Sequence, residues 1–354
     1  MESLKGKRVL VTGHTGFKGT WLTQVLLMMG AEVCGYSLEP PTKPSLFEMI
    51  KPENDIMSIT GDVRDLEKME KTFAEFKPEY VIHLAAQPLV RDSYINPVYT
   101  YETNVMGTVN MLECVRTTDS VRSVLNVTTD KVYKNFEEVR KYKEGDLLDG
   151  FDPYSNSKYC SELVTSSYRN SFLDDAKIAV STARAGNVIG GGDYAANRII
   201  PDCVRAALEG NNIEVRNPFS IRPYQHVLVP LQAYINILRS QAENTCFVGN
   251  YNIGPDDSDC LTTGELAGLF CSSWNEITGE EISWIGGNND GPHEAQLLML
   301  DNTKYKNAFG MDPKFNIKWA IKKTVEFATG IKDGKDARDI VRKQIKEVFG
   351  GSLK

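Results

Sequence analysis

Seven residues near the amino terminus constrain this chain more than any others: Gly13-His14-Thr15-Gly16-Phe17-Lys18-Gly19. They follow a β-branched run, Lys7 to Thr12, that reads as a buried strand. They precede a helical apolar pattern, Trp21, Leu22, Val25, Leu26 and Leu27, which stops at Gly30. A second strand pattern, Glu32 to Tyr36, comes next. Strand, glycine loop, helix and strand open a dinucleotide-binding unit. Glycines there let the backbone approach a pyrophosphate, and the helix start offers free N–H donors and the positive end of its dipole. The same spacing also occurs in purely structural turns; the flanking elements favour the phosphate reading. Gly13, Thr15, Gly16, Phe17, Lys18 and Gly19 are the first cofactor-binding candidates.

The alternation continues down the chain. Ile56 to Asp62 is strand-like and runs into Asp62-Val63, and a helix of about Leu66 to Phe76 follows. Tyr80 to Ala86 is a buried strand ending in His83-Leu84-Ala85-Ala86, whose small residues leave room for a flat ligand at the carboxyl edge of a parallel sheet. Pro97 to Thr117 reads as one long helix containing Asn104, either an ordinary polar helix residue or a buried amide bonding a neighbouring strand's backbone. A strand ending at Thr129, a helix from Tyr154 to about Asn170 and a strand from Ile178 to Thr182 complete the pattern. This predicts an α/β fold: a doubly wound parallel Rossmann sheet covered on both faces, with a smaller mixed α/β substrate domain. The first domain is expected over residues 1–182 and about 226–256, the second over about 183–225 and 257–354. The tail from Lys332 to Lys354 places Ile340, Val341, Ile345, Val348 and Phe349 at amphipathic helical spacing, suited to packing on its own protomer or a partner.

Charge and composition exclude several function classes. A net charge of −7 argues against a nucleic-acid-binding surface, so an anionic ligand needs a local basic site. No window approaches the ~18 consecutive apolar residues of a membrane span, and the start of the chain lacks a signal-peptide core. Seven scattered cysteines without a C-x-x-C suit a reducing compartment, and a cytoplasmic protein is expected. The four histidines stand apart, and His293-Glu294 lacks the second histidine of a metalloprotease helix, so no metal is expected.

Two short stretches carry the chemistry. Val127-Thr128-Thr129-Asp130-Lys131 puts a hydroxyl, a carboxylate and an amine at a strand end. Tyr154 and Lys158 are four residues apart, one turn along the same helix face. An ammonium beside a phenol favours the phenolate and so lowers its pKa, giving a general base near neutral pH. Without the tyrosine and the glycine loop, Asp130-Lys131 would read as a surface ion pair.

Together, Gly13-x-x-Gly16-x-x-Gly19, Asp62-Val63, His83 to Ala86, Asn104 and Tyr154-x-x-x-Lys158 resemble the extended short-chain dehydrogenase/reductases that act on nucleotide sugars. Further stretches narrow the resemblance to the 4,6-dehydratase branch that takes CDP-glucose: HLAAQPLVRDS (83–93), Thr129-Asp130-Lys131, RAGNVIGGGD (184–193) and Arg222-Pro223-x-x-His226-Val227-Leu228. The similarity covers most of the chain and weakens after about residue 255. Its most specific element is Lys131, where dTDP- and GDP-sugar siblings carry Glu.

The resemblance implies an NAD-dependent hydro-lyase that forms a 4-keto-6-deoxy sugar. Tyr154, with Lys158 and Thr129, would take the C4 hydroxyl proton; Lys131 would remove the C5 proton; Asp130 would protonate the departing C6 hydroxyl. Removing a proton requires Lys131 neutral for part of the cycle. It implies cofactor contacts from Asp62, Val63, Leu84, Ala85, Ala86, Asn104, Tyr154 and Lys158, and substrate contacts from Gln87, Asn187, Arg198, Arg205, Arg222 and His226. It also implies a homodimer, or a dimer of dimers, through the helices at 97–117 and 154–170.

Departures from the family pattern leave points open. Tyr36-Ser37-Leu38 lacks the acidic residue that usually holds the NAD ribose; Glu39 stands two residues late, while Lys18 and Lys43 are placed to answer a 2′-phosphate, leaving NADP open beside NAD. The rival readings are a nucleotide-sugar epimerase or reductase, which has no use for Asp130-Lys131, and a silent dinucleotide-binding regulator, which would not need Tyr154 and Lys158.

Overall fold

The structure, a computed structural model, describes residues 3–138, 140–287, 297–311 and 314–353. His293 and Glu294 lie outside them. Seven parallel strands form one sheet: β1 (Arg8–Thr12), β2 (Glu32–Ser37), β3 (Met57–Thr60), β4 (Tyr80–His83), β5 (Ser123–Thr129), β6 (Ala179–Ala185) and β7 (Asn250–Ile253), in the order β7-β6-β5-β4-β1-β2-β3. The expected doubly wound sheet is present, with its switch point between β1 and β4.

Alternate strand residues feed two cores. Val9, Val11, Ile82, Leu125 and Val127 pack under helices α1 (Phe17–Met28) and α6 (Leu228–Glu243). Leu10, Val81, Val124 and Val180 pack under α2 (Leu66–Phe76) and the long helix α3. This two-residue period with both faces covered is why the strands read as continuous apolar runs. Helix α3 runs over 97–116 with a π-helical turn at Glu102–Met106, and α4 (Pro153–Tyr168) packs against it.

A second unit is built by α5 (Ile199–Leu208), α7 (Thr263–Thr278) and α8 (Ile317–Lys332) around Ile200, Leu266, Phe270, Trp274 and Ile321. The last helix, α9 (Ala337–Phe349), departs from the expected division. Its Val341, Ile345 and Phe349 are buried in the core beneath α1 and α6, so the chain returns to the sheet twice, not once. Sequence spacing gives the apolar stripe of such a helix but not which neighbour covers it. Among the described residues no helix is long and apolar enough to cross a membrane.

Candidate active site

The glycine loop is shaped by close approach. Gly13 sits at φ +78°, and a Cβ there would lie 2.8 Å from the Ala85 nitrogen. A Cβ on Gly19 would overlap the Gly13 carbonyl oxygen, so helix α1 can begin this near the loop only with glycine. Gly16, the residue before α1, has room for a Cβ, 3.5 Å from that oxygen. Thr15 donates to the Leu38 carbonyl (2.8 Å) and lies 2.8 Å from the Ser37 hydroxyl, tying the loop to the end of β2. Phe17 faces the Gly190 backbone.

Across the switch point, Thr12 Oγ1 accepts from the Leu84 and Ala85 nitrogens, both at 3.2 Å, which fixes the path leaving β4. Asn104 is a buried amide that bonds backbone, of the segment after β4 rather than of a strand. It accepts from Gln87 N (2.8 Å) and donates to Gln87 O (3.1 Å) and Ser157 Oγ (2.9 Å), clamping the segment after β4 to α4. The π turn of α3 carries it. Asp62 is bound by Arg64, whose hydrogen bonds hold its carboxyl below the usual range, and Val63 is buried against Gly107.

Lys18 corrects an expectation. Its amine donates to the Tyr234 hydroxyl (3.3 Å) and lies among Arg198, Lys158 and Asp130 rather than beside Ser37 and Leu38. Burial, reinforced by the Arg198 and Lys158 charges, lowers its pKa to about 7. It is not set to answer a 2′-phosphate. Glu39 accepts from Thr60 at the end of β3 (3.1 Å), and Lys43 is exposed.

Five predicted catalytic residues converge where β5 ends. Asp152 caps α4 by accepting from Ser155 N, Pro153 opens the helix, and Tyr154 and Lys158 follow one turn apart. The Tyr154 phenol lies beside Thr129. The Lys158 amine donates to the Val127 carbonyl (2.8 Å). The phenol is not lowered as expected: burial pushes it up to about 12, with Thr129 and Arg198 acting in the opposite direction. Lys158 itself falls to about 8, because burial disfavours its charge more than Glu162 supports it. A neighbouring ammonium favours the phenolate, but desolvation opposes it and wins here.

Asp130 is fully buried. Its Oδ1 accepts from Thr129 Oγ1 (3.0 Å) and Lys131 Nζ (3.2 Å), while Oδ2 has no hydrogen-bond partner among the described residues. Lys131 reaches on to Asn187 Oδ1 at 3.4 Å. Unpaired buried carboxylate oxygens are costly and point to an absent donor.

Among the substrate candidates, Asn187 joins this cluster and Arg198 stands beside it, paired with Asp193 at 3.4 Å. Arg222 is buried and bonds the Ile221 carbonyl (3.1 Å), with no carboxylate partner among the described residues. Arg205 pairs with Asp202. Two candidates are turned to other work. Gln87 donates its amide to Leu89 O and Thr100 Oγ1, bracing its own loop. His226 is wedged edge-on between Trp21 (5.7 Å) and Trp319 (4.9 Å) and fully buried. Burial takes it down to about 3.

Sequence reading missed the polar layer beneath the site. Ser157, Ser161 and Thr165 line one buried stripe of α4 and bond Asn104, Thr108 and Asn126. Their four-residue spacing was the available signal. A separate cavity of about 670 Å³, lined by Gln225, Leu261, Glu265 and Phe315 among others, holds none of the predicted residues. Its acids are engaged: Asp256 by Lys306, Asp259 by Ile317 N and Glu265 by Thr262.

Residues 10–324 match the model of a family described as GDP-mannose 4,6 dehydratase. The chain is 44% identical to a CDP-glucose 4,6-dehydratase of Salmonella typhimurium, over 99% of this chain and 98% of that one. It is 27% identical to a probable dTDP-glucose 4,6-dehydratase of Sinorhizobium fredii, over 90% and 92%. Among solved structures, the NAD complex of a Thermus thermophilus UDP-glucose 4-epimerase superposes with a TM-score of 0.75 at 27% identity, covering 91% of this chain and 99% of that one. A dTDP-glucose 4,6-dehydratase of Bacillus anthracis with NAD gives 0.76 at 22% identity, covering 94% and 100%, a likeness of fold. With the match running from the first strand through the second unit, the chain belongs to the GDP-mannose 4,6 dehydratase family.

Proposed function

We propose that this chain is an NAD-dependent hydro-lyase that converts CDP-glucose to CDP-4-keto-6-deoxyglucose and water. The observation that carries the reading is Asp130: a buried carboxylate with one unpartnered oxygen, 3.2 Å from the Lys131 amine and bonded to Thr129, beside which Tyr154 lies. The name of the Salmonella relative supports the substrate.

The glycine loop and the Leu84 to Ala86 edge fit a dinucleotide, since Gly13 and Gly19 clear backbone where side chains would fill it. Gly13, Gly16, Thr15 and Asn104's clamp on Gln87 would hold it. When bound, NAD supplies the two-electron acceptor and donor of an internal redox reaction. Tyr154 takes the C4 hydroxyl proton. A phenol near 12 needs positive charge nearby to do so at neutral pH, and an oxidised nicotinamide ring carries one. The C4 ketone acidifies C5. Lys131 then removes the C5 proton while Asp130 gives a proton to the C6 hydroxyl, which leaves as water. The 3.2 Å contact explains how both states coexist: one proton passed from Lys131 to Asp130 yields a neutral amine and a carboxylic acid together. The C6 carbon regains the hydrogen lost from C4, and C5 is reprotonated, so the net change is loss of one water. Asn187 steadies Lys131, and Arg198 and Arg222, with Arg205 farther out, answer the diphosphate bidentately.

The reading extends to organisation. Residues 1–182 and about 226–256 form the cofactor-binding unit, joined by α9, and the rest binds the nucleotide sugar. A homodimer forms through α3 and α4, supported by the exposed apolar residues Val98, Met106 and Leu163. A cytoplasmic location fits the thiols. Sedimentation as a monomer at micromolar concentration would contradict the dimer.

The deciding experiment is incubation with CDP-glucose and NAD, followed by assay for a 4-keto-6-deoxy sugar. Turnover of a dTDP- or GDP-sugar with none of CDP-glucose would overturn the base assignment. Interconversion at C4 without water loss would favour an epimerase.

A further inference from the structure

Arg184 on β6 is a cation held almost entirely away from water, 1% exposed, at the back of the site. On one side Nε donates to both Glu162 oxygens, at 2.8 and 3.0 Å. On the other, Nη1 donates to the Tyr133 hydroxyl (2.7 Å) and the Glu144 carbonyl (3.0 Å), and the guanidinium lies 5.0 Å from the centre of the Tyr133 ring. Tyr133 donates onward to Asn252 Oδ1 on β7 (2.7 Å) and stacks on Tyr142 (5.1 Å).

The two sides belong to different halves of the chemistry. Glu162 stands one turn past Lys158 on α4 and also accepts from Thr128 Oγ1 at 2.6 Å. Tyr133 comes two residues after Lys131, at the root of a segment that folds back on itself through Asp149 N to Val132 O (3.0 Å) and Lys134 N to Leu147 O (2.9 Å). One guanidinium therefore joins the helix of Tyr154 and Lys158 to the strand end of Asp130 and Lys131. A buried ion pair is poor evidence for stability, because a well-packed apolar pair of the same volume does as well or better. Its presence here calls for a positional reason.

We propose that Arg184, held by Glu162, is a positioning residue that fixes Asp130 and Lys131 at a set distance from Tyr154 and Lys158, so that water loss depends on it more than C4 oxidation does. Helix α4 has independent anchors: the Asp152 cap, Asn104 to Ser157, Asn126 to Ser161, and Lys158 to the Val127 carbonyl. The segment after Lys131 is held by Arg184 through Tyr133 and Glu144, and by Asn252, which accepts from Tyr133 and donates to Glu144 and the Tyr142 carbonyl. Loosening it moves the acid and base that must meet neighbouring carbons, and a misplacement of about 1 Å costs roughly a hundredfold in rate.

This rests on the dehydratase reading, and the test keeps the two apart. Wild-type enzyme with CDP-glucose and NAD first has to yield the 4-keto-6-deoxy product; failure there counts against the reading itself. Tyr133→Phe then removes the hydroxyl that Arg184 and Asn252 share, and keeps the ring on Tyr142 and under the guanidinium, while Arg184→Lys leaves the Asn252 bond in place. It is expected to lower product turnover about tenfold or more while the single-turnover rate of C4 oxidation stays at the wild-type value. Reduced nicotinamide then accumulates on the enzyme, seen by its absorbance. Arg184→Lys, which cannot reach both sides at once, is expected to do the same. Tyr142→Phe perturbs the same segment through Asn135 and Phe136 without touching Arg184, and is expected to leave the partition between oxidation and water loss unchanged. Overturning results are oxidation and turnover falling together in Tyr133→Phe, unchanged turnover, or the same accumulation in Tyr142→Phe.

Discussion

The roles proposed for Lys131 and Tyr154 are separable, though Lys131 is hydrogen-bonded through Asp130 to Thr129, beside which Tyr154 lies. Lys131→Ala removes the proposed base for C5 and leaves the glycine loop, Tyr154 and Lys158 untouched. It is expected to bind NAD as the wild type does, to reduce it with CDP-glucose, and to release no product. Tyr154→Phe is expected to fail earlier, with no reduced cofactor formed. Equilibrium binding and the absorbance of reduced nicotinamide separate the two; normal dehydration by Lys131→Ala would remove that residue from the mechanism. The pairing of Tyr154 with Lys158 on one helix face was legible because helical spacing is local. That Lys158 would bond the Val127 carbonyl was not, since it depends on where α4 lies against β5. Nor was the raised phenol, which is a property of burial.

The loop between β1 and α1 contains glycines of two kinds, and the sequence does not distinguish them. Gly19→Ala would drive a methyl into the Gly13 carbonyl and the His14 backbone, neither of which can swing aside. It is expected to lose about 3 kcal/mol of stability or to fail to fold. Gly16 has φ −74° and ordinary space for a Cβ, so Gly16→Ala should keep the wild-type melting temperature within a few degrees. Its methyl would stand at the start of α1, where the reading puts phosphate, and NAD affinity should fall about tenfold or more. Comparable losses of affinity and stability in both variants would mean the loop is structural only. The elements themselves were readable from periodicity and turn residues, the sheet most of all, because apolar runs broken by glycine and helical patterns have few other solutions. The packing of α9 beneath α1 and α6 and of His226 between two tryptophans was not readable, because both depend on which surface covers a side chain.

For the molecule as a whole, three buried histidines set how folding responds to acid. His14, His83 and His226 are at most 1% exposed and held by burial at about 4, 3 and 3. His226 Nδ1 accepts from Leu228 N and so carries no proton, while His14 Nε2 is 2.8 Å from the Ser58 hydroxyl and His83 Nδ1 2.7 Å from the Thr12 hydroxyl. In the unfolded chain a histidine takes its proton near 6.5. Below that pH the unfolded state binds more protons than the folded one, so stability falls as pH falls, until the folded values are reached. At pH 5 each ring costs about 2 kcal/mol relative to neutral pH, and this depends on the unfolded value as long as the folded one stays lower. Three rings give about 6 kcal/mol, a large part of the roughly 5–15 kcal/mol by which a domain is folded. Asp202 and Asp259, raised by burial, act in the opposite sense, nearer the carboxylate range. Urea midpoints measured at pH 7 and pH 5 should therefore differ strongly, with the protein weaker at pH 5. Equal midpoints would mean that these rings accept protons in the folded state, which the packing of His226 between two tryptophans argues against.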